Sequence, residues 1–320
     1  MGFDRNAADD QAFGHKPVLL DECLDALDIK PEGIYLDGTL GRAGHSLEIA
    51  KRLTTGRLIC LDRDETAIEA AKIRLADYKD RVTLVHSNFS RIADVLREMD
   101  IDGVDGMLFD LGVSSPQLDE ADRGFSYMHD APLDMRMDRT AALTARDVVN
   151  DWSYEDLRRI LFEYGEERYA PAIARAIVSR RQESPIETTG QLVSIIRGAM
   201  PPAALREKQH PAKRSFQAIR IAVNDELGAV ETVMKKAVPL LNPVGRLAVI
   251  TFHSLEDRIV KNAMAEAAKG CTCPPSFPVC VCGKKPQVRI VTRKPIVSGE
   301  EELERNPRAR SAKLRICEKL

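Results

Sequence analysis

The chain has 320 residues, of which 44% are hydrophobic and 30% charged, and its 47 basic and 49 acidic side chains leave a formal net charge of −2. This composition excludes collagen-like, disordered and small disulfide-rich proteins, and predicts a globular protein with two domains or one large domain with an insertion. Because no apolar run reaches the ~18 residues of a membrane-spanning helix and the opening segment is acidic, unlike a secretory signal, we expect a cytoplasmic protein without a membrane partner.

Short apolar segments alternate with helical patterns in the first hundred residues, which predicts a parallel sheet with crossover helices. Four strands are predicted, at residues 34–37, 57–62, 82–86 and 106–110. Between the second and third strands, residues 65–75 carry apolar side chains at three- and four-residue spacing, the pattern of an amphipathic helix. The chain is therefore predicted to begin with a β-α-β arrangement of an α/β fold.

After Asp110 the strand pattern stops, and helical patterns such as those at residues 154–164 and 170–182 predict a helical insertion. The domain boundaries are placed at 1–115 and 216–320 for a discontinuous sheet domain, and at 116–215 for the inserted domain. The elements expected after the insertion are a long helix at about 215–241, a turn at 242–245, strands at 246–252, 287–292 and 313–318, and a loop at 295–311.

The first predicted strand leads into a glycine-rich loop, with Gly38, Gly41 and Gly44 ahead of a predicted helix at 46–53. Ligands of open α/β sheets bind beyond the carboxyl ends of the strands, and glycine lets the backbone approach them closely. The spacing is Gly-x-x-Gly-x-x-Gly and not the G-x-G-x-x-G of dinucleotide sites, so a nicotinamide cofactor is disfavoured. A tight turn that binds nothing is an equally good interpretation of the loop by itself.

Acidic residues end three of the predicted strands: Asp37, Asp62 and Asp110. Asp62 lies eighteen residues after Gly44, where nucleoside-binding folds place an acid that accepts the ribose hydroxyls. Phe89, after the third strand, offers an aromatic face for an adenine ring. Each acid alone is equally compatible with a helix cap. Three acids at strand ends suit an adenosine that carries a sulfonium and an ammonium, so S-adenosylmethionine is the predicted cofactor.

Longer motifs add a resemblance to a known family. The main ones are HKPVLL at 15–20, the glycine loop, DLGVSSPQLD at 110–119, RGFS at 123–126, PLDMRM at 132–137, YGEER at 164–168, SFQAIR at 215–220, FHSLEDR at 252–258 and NPRARS at 306–311. On these motifs, which span nearly the whole chain, the sequence resembles the bacterial 16S ribosomal RNA cytosine-N4 methyltransferases, the RsmH or MraW family.

The resemblance implies a Rossmann-like S-adenosylmethionine-dependent methyltransferase sheet with an inserted helical substrate-recognition domain. It also implies methylation of the exocyclic N4 amine of a cytidine in the decoding region of 16S rRNA. The small ribosomal subunit is the expected partner, and the sequence leaves naked rRNA open as the substrate. One departure from the family is Ala43, where many relatives carry glycine, and its methyl group is expected to narrow the loop slightly. The residues that match the family's cofactor site are Ala43, Gly44, His45, Asp62, Phe89, Asp110 and Gln117.

Asp110 is the predicted catalytic residue, as the electrostatic partner of the reacting amine. The lone pair of N4 is conjugated into the cytosine ring, so positioning and a preorganised hydrogen-bond acceptor are expected to supply most of the catalysis. Related amino methyltransferases place Asn, Asp or Ser before Pro-Pro-aromatic, whereas this chain has SSPQ at 114–117. A hydroxyl of Ser114 or Ser115, or a backbone carbonyl, therefore stays open as the proton acceptor.

For several other side chains, the sequence supports both a functional and a purely structural interpretation. Phe125 or Tyr127 is a candidate to receive a flipped-out base, against ordinary core packing. His253 follows the fifth predicted strand and is either a site residue or a structural histidine. The basic residues predicted to contact RNA phosphates, against a merely solvated surface, are Arg206, Lys208, His210, Lys213, Arg214, Arg308 and Arg310.

The seven cysteines fall into two groups. Cys23, Cys60 and Cys317 lie in apolar segments and are predicted to be reduced core thiols. Four more, Cys271, Cys273, Cys280 and Cys282, lie together in a proline-rich stretch. Four thiolates suit tetrahedral zinc, but the C-x-C spacing is shorter than the usual gap, so the sequence leaves a structural metal open and assigns no metal to catalysis.

Two other functions compete with RNA methylation. One is an S-adenosylmethionine enzyme that acts on a protein or small molecule, which the basic segments disfavour. The other is a non-catalytic RNA-binding protein that keeps a Rossmann core. The intact glycine loop together with Asp62 and Asp110 disfavours the latter, because a protein without catalysis has no need of all three.

Overall fold

The computed structural model describes residues 17–271, 273–274, 279 and 281–320. The acidic opening segment and Cys280 lie outside these residues. Contacts divide the chain into two compact units. The sheet unit holds the residues up to Gly112 and from Leu227 onward, and the helical unit is Val113–Glu226. No helix among the described residues is long and apolar enough to cross a membrane.

The described part of the sheet unit contains a sheet of seven strands. These are β1 (Ile34–Asp37), β2 (Arg57–Asp62), β3 (Val82–His86), β4 (Val104–Asp110), β5 (Leu241–Thr251), β6 (Val288–Ile290) and β7 (Lys313–Lys319). Their order is β3-β2-β1-β4-β5-β7-β6, with the first five parallel and β7 antiparallel to both of its neighbours. The predicted α/β class with a Rossmann-like sheet is confirmed, and β1, β2 and β3 have the predicted bounds.

Helices cover the sheet and fill the helical unit. In chain order they are α1 (Leu20–Leu27), α2 (Gly44–Arg52), α3 (Glu65–Arg74), α4 (Ile92–Glu98), α5 (Ser115–Asp119), α6 (Ala145–Asp151), α7 (Tyr154–Glu163), α8 (Ala170–Glu183), α9 (Thr189–Ala199), α10 (Lys213–Asn224), α11 (Glu226–Ala237), α12 (Ser254–Ala268) and α13 (Glu300–Arg305).

Both faces of the sheet are apolar and covered, as parallel strands require. Leu108 of β4 points into one buried cluster, whereas Met107 and Phe109 point into the cluster on the opposite face. The predicted core thiols are confirmed, since Cys23, Cys60 and Cys317 are free and buried. Topology places the reversal of strand order between β1 and β4, and ligands of such sheets bind at that point.

The helix predicted at 215–241 is wrong as a single helix. It breaks at Asp225, whose backbone is left-handed with φ 46°, so that α10 and α11 are separate. Residues 113–115 and 216–226, which the sequence assigns to the sheet domain, instead belong to the helical unit, where α10 packs Phe216 and Ile219 into the core. A left-handed residue inside a helical pattern leaves hydrophobic periodicity unchanged, so the pattern could not reveal it.

Two further elements differ from the prediction. β5 starts at Leu241 and not at 246, because residues 242–245 form an irregularity in its pairing with β4, and Val244 there has φ 66°. The expected loop at 295–311 contains helix α13 and a 3₁₀ turn, Pro307–Ser311. Residues 242–245 and residues 295–311 are rich in residues that are typical of turns. For this reason the sequence pattern favoured a turn in the first segment and a loop in the second.

Candidate active site

The glycine loop connects the end of β1 to α2 and has two left-handed residues, Gly41 with φ 49° and Ala43 with φ 58°. Ala43 is fully buried and its N–H donates to the Leu40 carbonyl over 2.7 Å. A left-handed alanine costs about 1 kcal/mol relative to glycine. The expected narrowing of the loop by its methyl group stays a prediction, and the backbone at position 43 has a conformation that glycine adopts without this cost.

Close packing explains the other two glycines. A Cβ on Gly38 would lie 2.2 Å from Cε1 of Phe109, and one on Gly44 would lie 2.3 Å from Cγ of Pro17. These distances are far below van der Waals contact, so each glycine lets the loop lie directly against a neighbouring segment. The loop is thereby fixed between β4 and the segment that precedes α1.

Asp62 ties the end of β2 to the glycine loop. Its Oδ2 accepts a hydrogen bond from the Gly41 N–H at 2.8 Å, and its Oδ1 accepts one from the Asp64 N–H at 2.9 Å. Burial raises the pKa of Asp62 to about 6, and the two N–H donors oppose that rise. Each carboxylate oxygen has a second lone pair, so Asp62 can also accept from ligand hydroxyls beside the loop.

Asp37 is buried and acts inside the loop. Its Oδ2 accepts from the Ser46 hydroxyl at 2.6 Å, and its Oδ1 accepts from the Thr39 N–H at 3.0 Å. Burial raises its pKa despite these donors. Because both oxygens are used within the loop, Asp37 holds the start of α2 in place and adds negative potential to the site.

Asp110 ends β4, where its backbone N–H donates to the Thr39 hydroxyl at 2.6 Å. Its side chain is about a quarter exposed (26%), but Oδ1 is buried and has no hydrogen-bond partner within the described part of the chain. Burial, followed by the nearby carboxylates of Asp37 and Glu256, raises the pKa of Asp110 to about 8. An entering cation would offset these effects, so the site is electrostatically suited to a positively charged ligand.

His45 lies in the first turn of α2, with its side chain buried. Its Nε2 donates to the Val18 carbonyl at 3.0 Å, which leaves Nδ1 on the side of Asp110. Burial lowers the pKa of His45, although Asp37 opposes this effect. The ring is therefore neutral at pH 7 and connects the segment before α1 to the carboxyl edge of the sheet.

Phe89 follows β3 and packs edge-to-face on Phe109, with ring centroids 5.8 Å apart. Phe109 is also the residue that contacts Gly38. The structure thus brings Phe89 into the same packed group as the glycine loop, and its ring is only partly buried. Its predicted contact with an adenine ring stays a prediction.

Sequence reasoning missed several residues that shape this site. Thr39 and Ser46 hold Asp110 and Asp37, and Glu256 adds to the potential at Asp110. The carboxylate of Glu302, on α13, accepts from the Leu19 N–H at 2.8 Å, at the start of α1. The only sequence signal for Glu302 was a run of three glutamates, which has no spatial information.

His253 has a structural role at the start of α12, and its role in the site stays a prediction. Its Nδ1 accepts from the Glu256 N–H at 3.5 Å, and Glu256 Oε2 in return lies 3.3 Å from the His253 N–H and accepts from Phe252 N–H at 2.9 Å. This reciprocal arrangement caps the N-terminus of α12.

In the helical unit, Gln117 is buried in α5 and its Oε1 accepts from the Ser114 N–H at 3.0 Å, as part of a capping box. Its cofactor contact stays a prediction.

Phe125 is only 5% exposed and belongs to the helical core. Tyr127 is partly buried and stacks on His210, with centroids 4.5 Å apart and planes 9° apart. For Phe125 the packing interpretation is therefore the better one.

The basic residues predicted to contact RNA are mostly exposed. On the helical unit, Arg206, Lys208 and Lys213 are exposed, and Arg214 is partly buried, with its guanidinium donating to the Glu166 carbonyl at 3.3 Å. On the sheet unit, Arg308 and Arg310 are exposed in the turn after α13. Exposure is what a phosphate contact needs, and the contact itself stays a prediction.

Comparison with known proteins gives consistent matches over the whole chain. A family model described as the MraW methylase family matches residues 12–320. The ribosomal RNA small subunit methyltransferase H of Brevibacillus brevis is 58% identical over 310 residues, which cover 97% of this chain and 99% of that protein. The protein of the same name from Paenibacillus sp. is 59% identical over 315 residues, 96% of this chain and all of that one. A solved rRNA methylase structure from Streptococcus thermophilus superposes with a TM-score of 0.41 at 11% identity, covering 94% and 93% of the two chains.

Proposed function

Because the chain belongs to the MraW methylase family, we propose that it methylates the exocyclic N4 amine of a cytidine in the decoding region of 16S rRNA. The chain is a methyltransferase, and S-adenosylmethionine is its methyl donor. The substrate is the rRNA within the small ribosomal subunit. This assignment takes its RNA class from the relatives' names and its base and position from the resemblance in the sequence motifs.

The observation that carries the proposal is the carboxyl group of Asp110. It lies at the carboxyl end of β4, next to the reversal of strand order, and has one buried oxygen with no hydrogen-bond partner among the described residues. Burial and the nearby carboxylates of Asp37 and Glu256 raise its pKa to about 8, and a positive charge beside it would offset both effects. A cationic cofactor supplies that charge, whereas a phosphate-bearing cofactor would add further repulsion.

Residues of the glycine loop and of the ends of β2 and β3 contact different parts of the cofactor. Asp62 accepts from the ribose hydroxyls, the Gly41 and Ala43 turn holds the backbone beside the nucleoside, and Phe89 offers a ring to the adenine. His45 and Gly44 fix the loop against Val18 and Pro17. When bound, S-adenosylmethionine supplies a methyl carbon made electrophilic by its sulfonium.

Asp110 also acts on the amine. Once a cation is bound, Asp110 is ionised, and its carboxylate attracts the positive charge that develops on N4 as the methyl group is transferred. It is also the preferred candidate to take the proton that N4 loses afterwards. Ser114 is a weaker candidate for that role, because its hydroxyl caps α5.

Exposed basic residues on the two units position the RNA through phosphate contacts, which carry no base specificity. On the helical unit these are Arg206, Lys208, Lys213 and Arg214, and on the sheet unit Arg308 and Arg310. The helical unit is accordingly the substrate-recognition domain.

Transfer of a labelled methyl group tests the proposal. Small subunits from a strain that lacks this protein are incubated with the enzyme and labelled S-adenosylmethionine, and the rRNA is digested to nucleosides. Label is expected in N4-methylated cytidine, within a fragment that contains the decoding region. Label in another nucleoside, or in ribosomal protein, would refute the assigned target.

One test variant, one control variant and a second substrate extend this experiment. The Asp110→Asn variant is expected to lower the rate by about 100-fold or more, the effect of losing one preorganised charge contact. The Asp80→Asn variant changes an exposed aspartate in the turn before β3 and should keep full activity. Deproteinised 16S rRNA is expected to be the poorer substrate, and equal transfer to it would contradict the assembled subunit as the partner.

A further inference from the structure

The segment between α12 and β6, residues 269–287, contains four cysteines that the catalytic proposal does not use, and three of them lie among the described residues. Its described residues form no helix or strand. Its two ends are joined, because the Gln287 N–H donates to the Ala267 carbonyl at 2.8 Å and Lys284 pairs with Glu266. Val279 and Val281 are about 70% exposed (69% and 74%), so these two side chains gain little stability from apolar burial.

The three described thiols converge in space. The sulfur atoms of Cys271, Cys273 and Cys282 all lie within 4.8 Å of one another, and those of Cys271 and Cys282 are 3.7 Å apart. A disulfide needs about 2.05 Å between its sulfurs, so this pair is not bonded. Zinc–thiolate bonds of about 2.3 Å in a tetrahedron place the sulfurs about 3.8 Å apart. The 3.7 Å between the sulfurs of Cys271 and Cys282 matches that separation.

Backbone N–H groups point at two of these sulfurs. Cys271 Sγ accepts from the Cys273 N–H at 3.4 Å, and Cys273 Sγ accepts from the Val281 N–H at 3.4 Å. Hydrogen bonds from N–H groups to the sulfur favour the thiolate, which is the form that binds a metal. The first of these hydrogen bonds also holds Cys273 beside the sulfur of Cys271 despite the short C-x-C spacing.

We propose that Cys271, Cys273 and Cys282 are ligands of a structural Zn²⁺ ion that fixes the segment between α12 and β6. Cys280 lies outside the described residues, and the proposal rests on the other three thiols. Binding converts the three thiols to metal-bound thiolates and releases their protons. The free energy of metal binding then stabilises the fold of the segment, because the site forms only when the ligands are brought together. The site is distinct from Asp110 and its neighbours, and the ion takes no part in methyl transfer.

Metal analysis of the full-length protein tests this directly. Protein purified without chelator is expected to contain about one zinc per chain. In the Cys271→Ser and Cys282→Ser variants, the zinc content per chain should be at least tenfold lower than in the wild type. The matched control is Val279→Ser, an exposed change in the same segment, which should retain the ion. Wild-type protein that contains no zinc even after incubation with Zn²⁺ would overturn the proposal, as would a Cys271→Ser/Cys282→Ser variant that keeps it.

A second measurement needs no variant. After removal of the metal, titration of the wild-type protein with Co²⁺ should produce thiolate-to-metal charge-transfer absorption and the intense visible bands of tetrahedral cobalt. Cobalt binding without charge-transfer absorption would refute thiolate ligands.

Thiol counting in the denatured, metal-free protein should give all seven cysteines, and a count of five would show that a disulfide is present instead. Cofactor binding by the serine variants should equal that of wild type, which verifies that they fold.

Discussion

Oδ2 of Asp110 lies 3.9 Å from Nδ1 of His45, too far for a hydrogen bond but close enough for each to influence the other's charge. His45 is held in place by the Val18 carbonyl, and burial lowers its pKa. Asp110 has a pKa raised to about 8. At neutral pH without ligand, both groups are therefore mainly uncharged, and the entry of a cation ionises Asp110.

Cofactor affinity is expected to depend on pH through Asp110. A bound cation favours the carboxylate, so its pKa in the complex is lower than the ligand-free value of about 8, and binding at pH 7 releases a proton. Affinity should rise with pH toward 8 and then level off. Calorimetric titrations at pH 6.5–8.5, in buffers of different ionisation enthalpy, measure both the affinity and the released proton.

Asp110→Asn is the matching variant for this experiment. It retains the cofactor's own titration but has no carboxyl group at this position, so proton release should fall and the pH dependence should flatten. Asp80→Asn should behave as wild type. Identical proton release by Asp110→Asn and wild type would show that another group is responsible.

The same carboxyl group should cost stability at alkaline pH. Its pKa is about 8 when folded and about 3.8 when unfolded, so the folded state holds the proton more tightly and its stability falls as pH rises from 4 to 8. Asp110→Asn removes this loss. We expect Asp110→Asn to raise the unfolding free energy by about 2 kcal/mol at pH 8.5 and to change it little at pH 4, well below the full shift because the group is partly exposed. Urea denaturation at both pH values measures this, and an equal effect at both would contradict it.

The packing of the glycine loop predicts a contrast between two alanine substitutions. Gly44→Ala places a Cβ 2.3 Å from Pro17, whereas Gly198→Ala, in α9, meets no atom within 4 Å. Gly44→Ala should lower stability by about 1–3 kcal/mol and weaken cofactor binding at least tenfold. Gly198→Ala should stabilise by about 0.5–1 kcal/mol. Thermal unfolding and cofactor titration of both variants test this, and unchanged binding by Gly44→Ala would mean that the segment at Pro17 moves without disturbing the site.

The carboxylates of the site were predictable because they depend only on local pattern. A buried strand that ends in Asp places that residue at the carboxyl edge of a parallel sheet, and the strands preceding Asp37, Asp62 and Asp110 were recognisable from their apolar runs. Their separate tasks were not predictable. Asp37 is used within the loop, whereas Asp110 keeps a buried oxygen without a partner in the described chain.

Contacts between residues far apart in the sequence could not be predicted from the local sequence pattern. Glu302 and Leu19 are 283 positions apart, and the hydrogen bond between them depends on β7 being brought beside β5, which places the chain end near α1. The convergence of Cys271 with Cys282 likewise depends on how the backbone folds back. In both cases the residue types were visible in the sequence, but only the fold brings them into contact.

The RNA proposal predicts a change in salt dependence. Lys208 and Lys213 are exposed on the helical unit, and each phosphate contact contributes about 0.7–0.9 to the slope of log affinity against log salt. The double variant Lys208→Ala/Lys213→Ala should bind the small subunit more weakly and lower that slope by about 1.5, without change in cofactor affinity. Lys72→Ala, at an exposed lysine of α3, is the control. An unchanged slope would remove this patch from the RNA interface.

Asp62 provides the sharpest test of the cofactor's orientation. Asp62→Ala is expected to weaken binding of S-adenosylmethionine by about ten- to a hundredfold, the effect of hydrogen bonds to a charged acceptor. Because Asp62 also accepts from Gly41 and Asp64, some of that loss comes from the loop itself. A cofactor analogue without the ribose 2′-hydroxyl separates the two effects. It should bind wild type more weakly than the parent cofactor but bind Asp62→Ala equally well, since the hydroxyl has lost its acceptor. If the analogue loses the same affinity with both proteins, the ribose lies elsewhere and Asp62 serves only the loop.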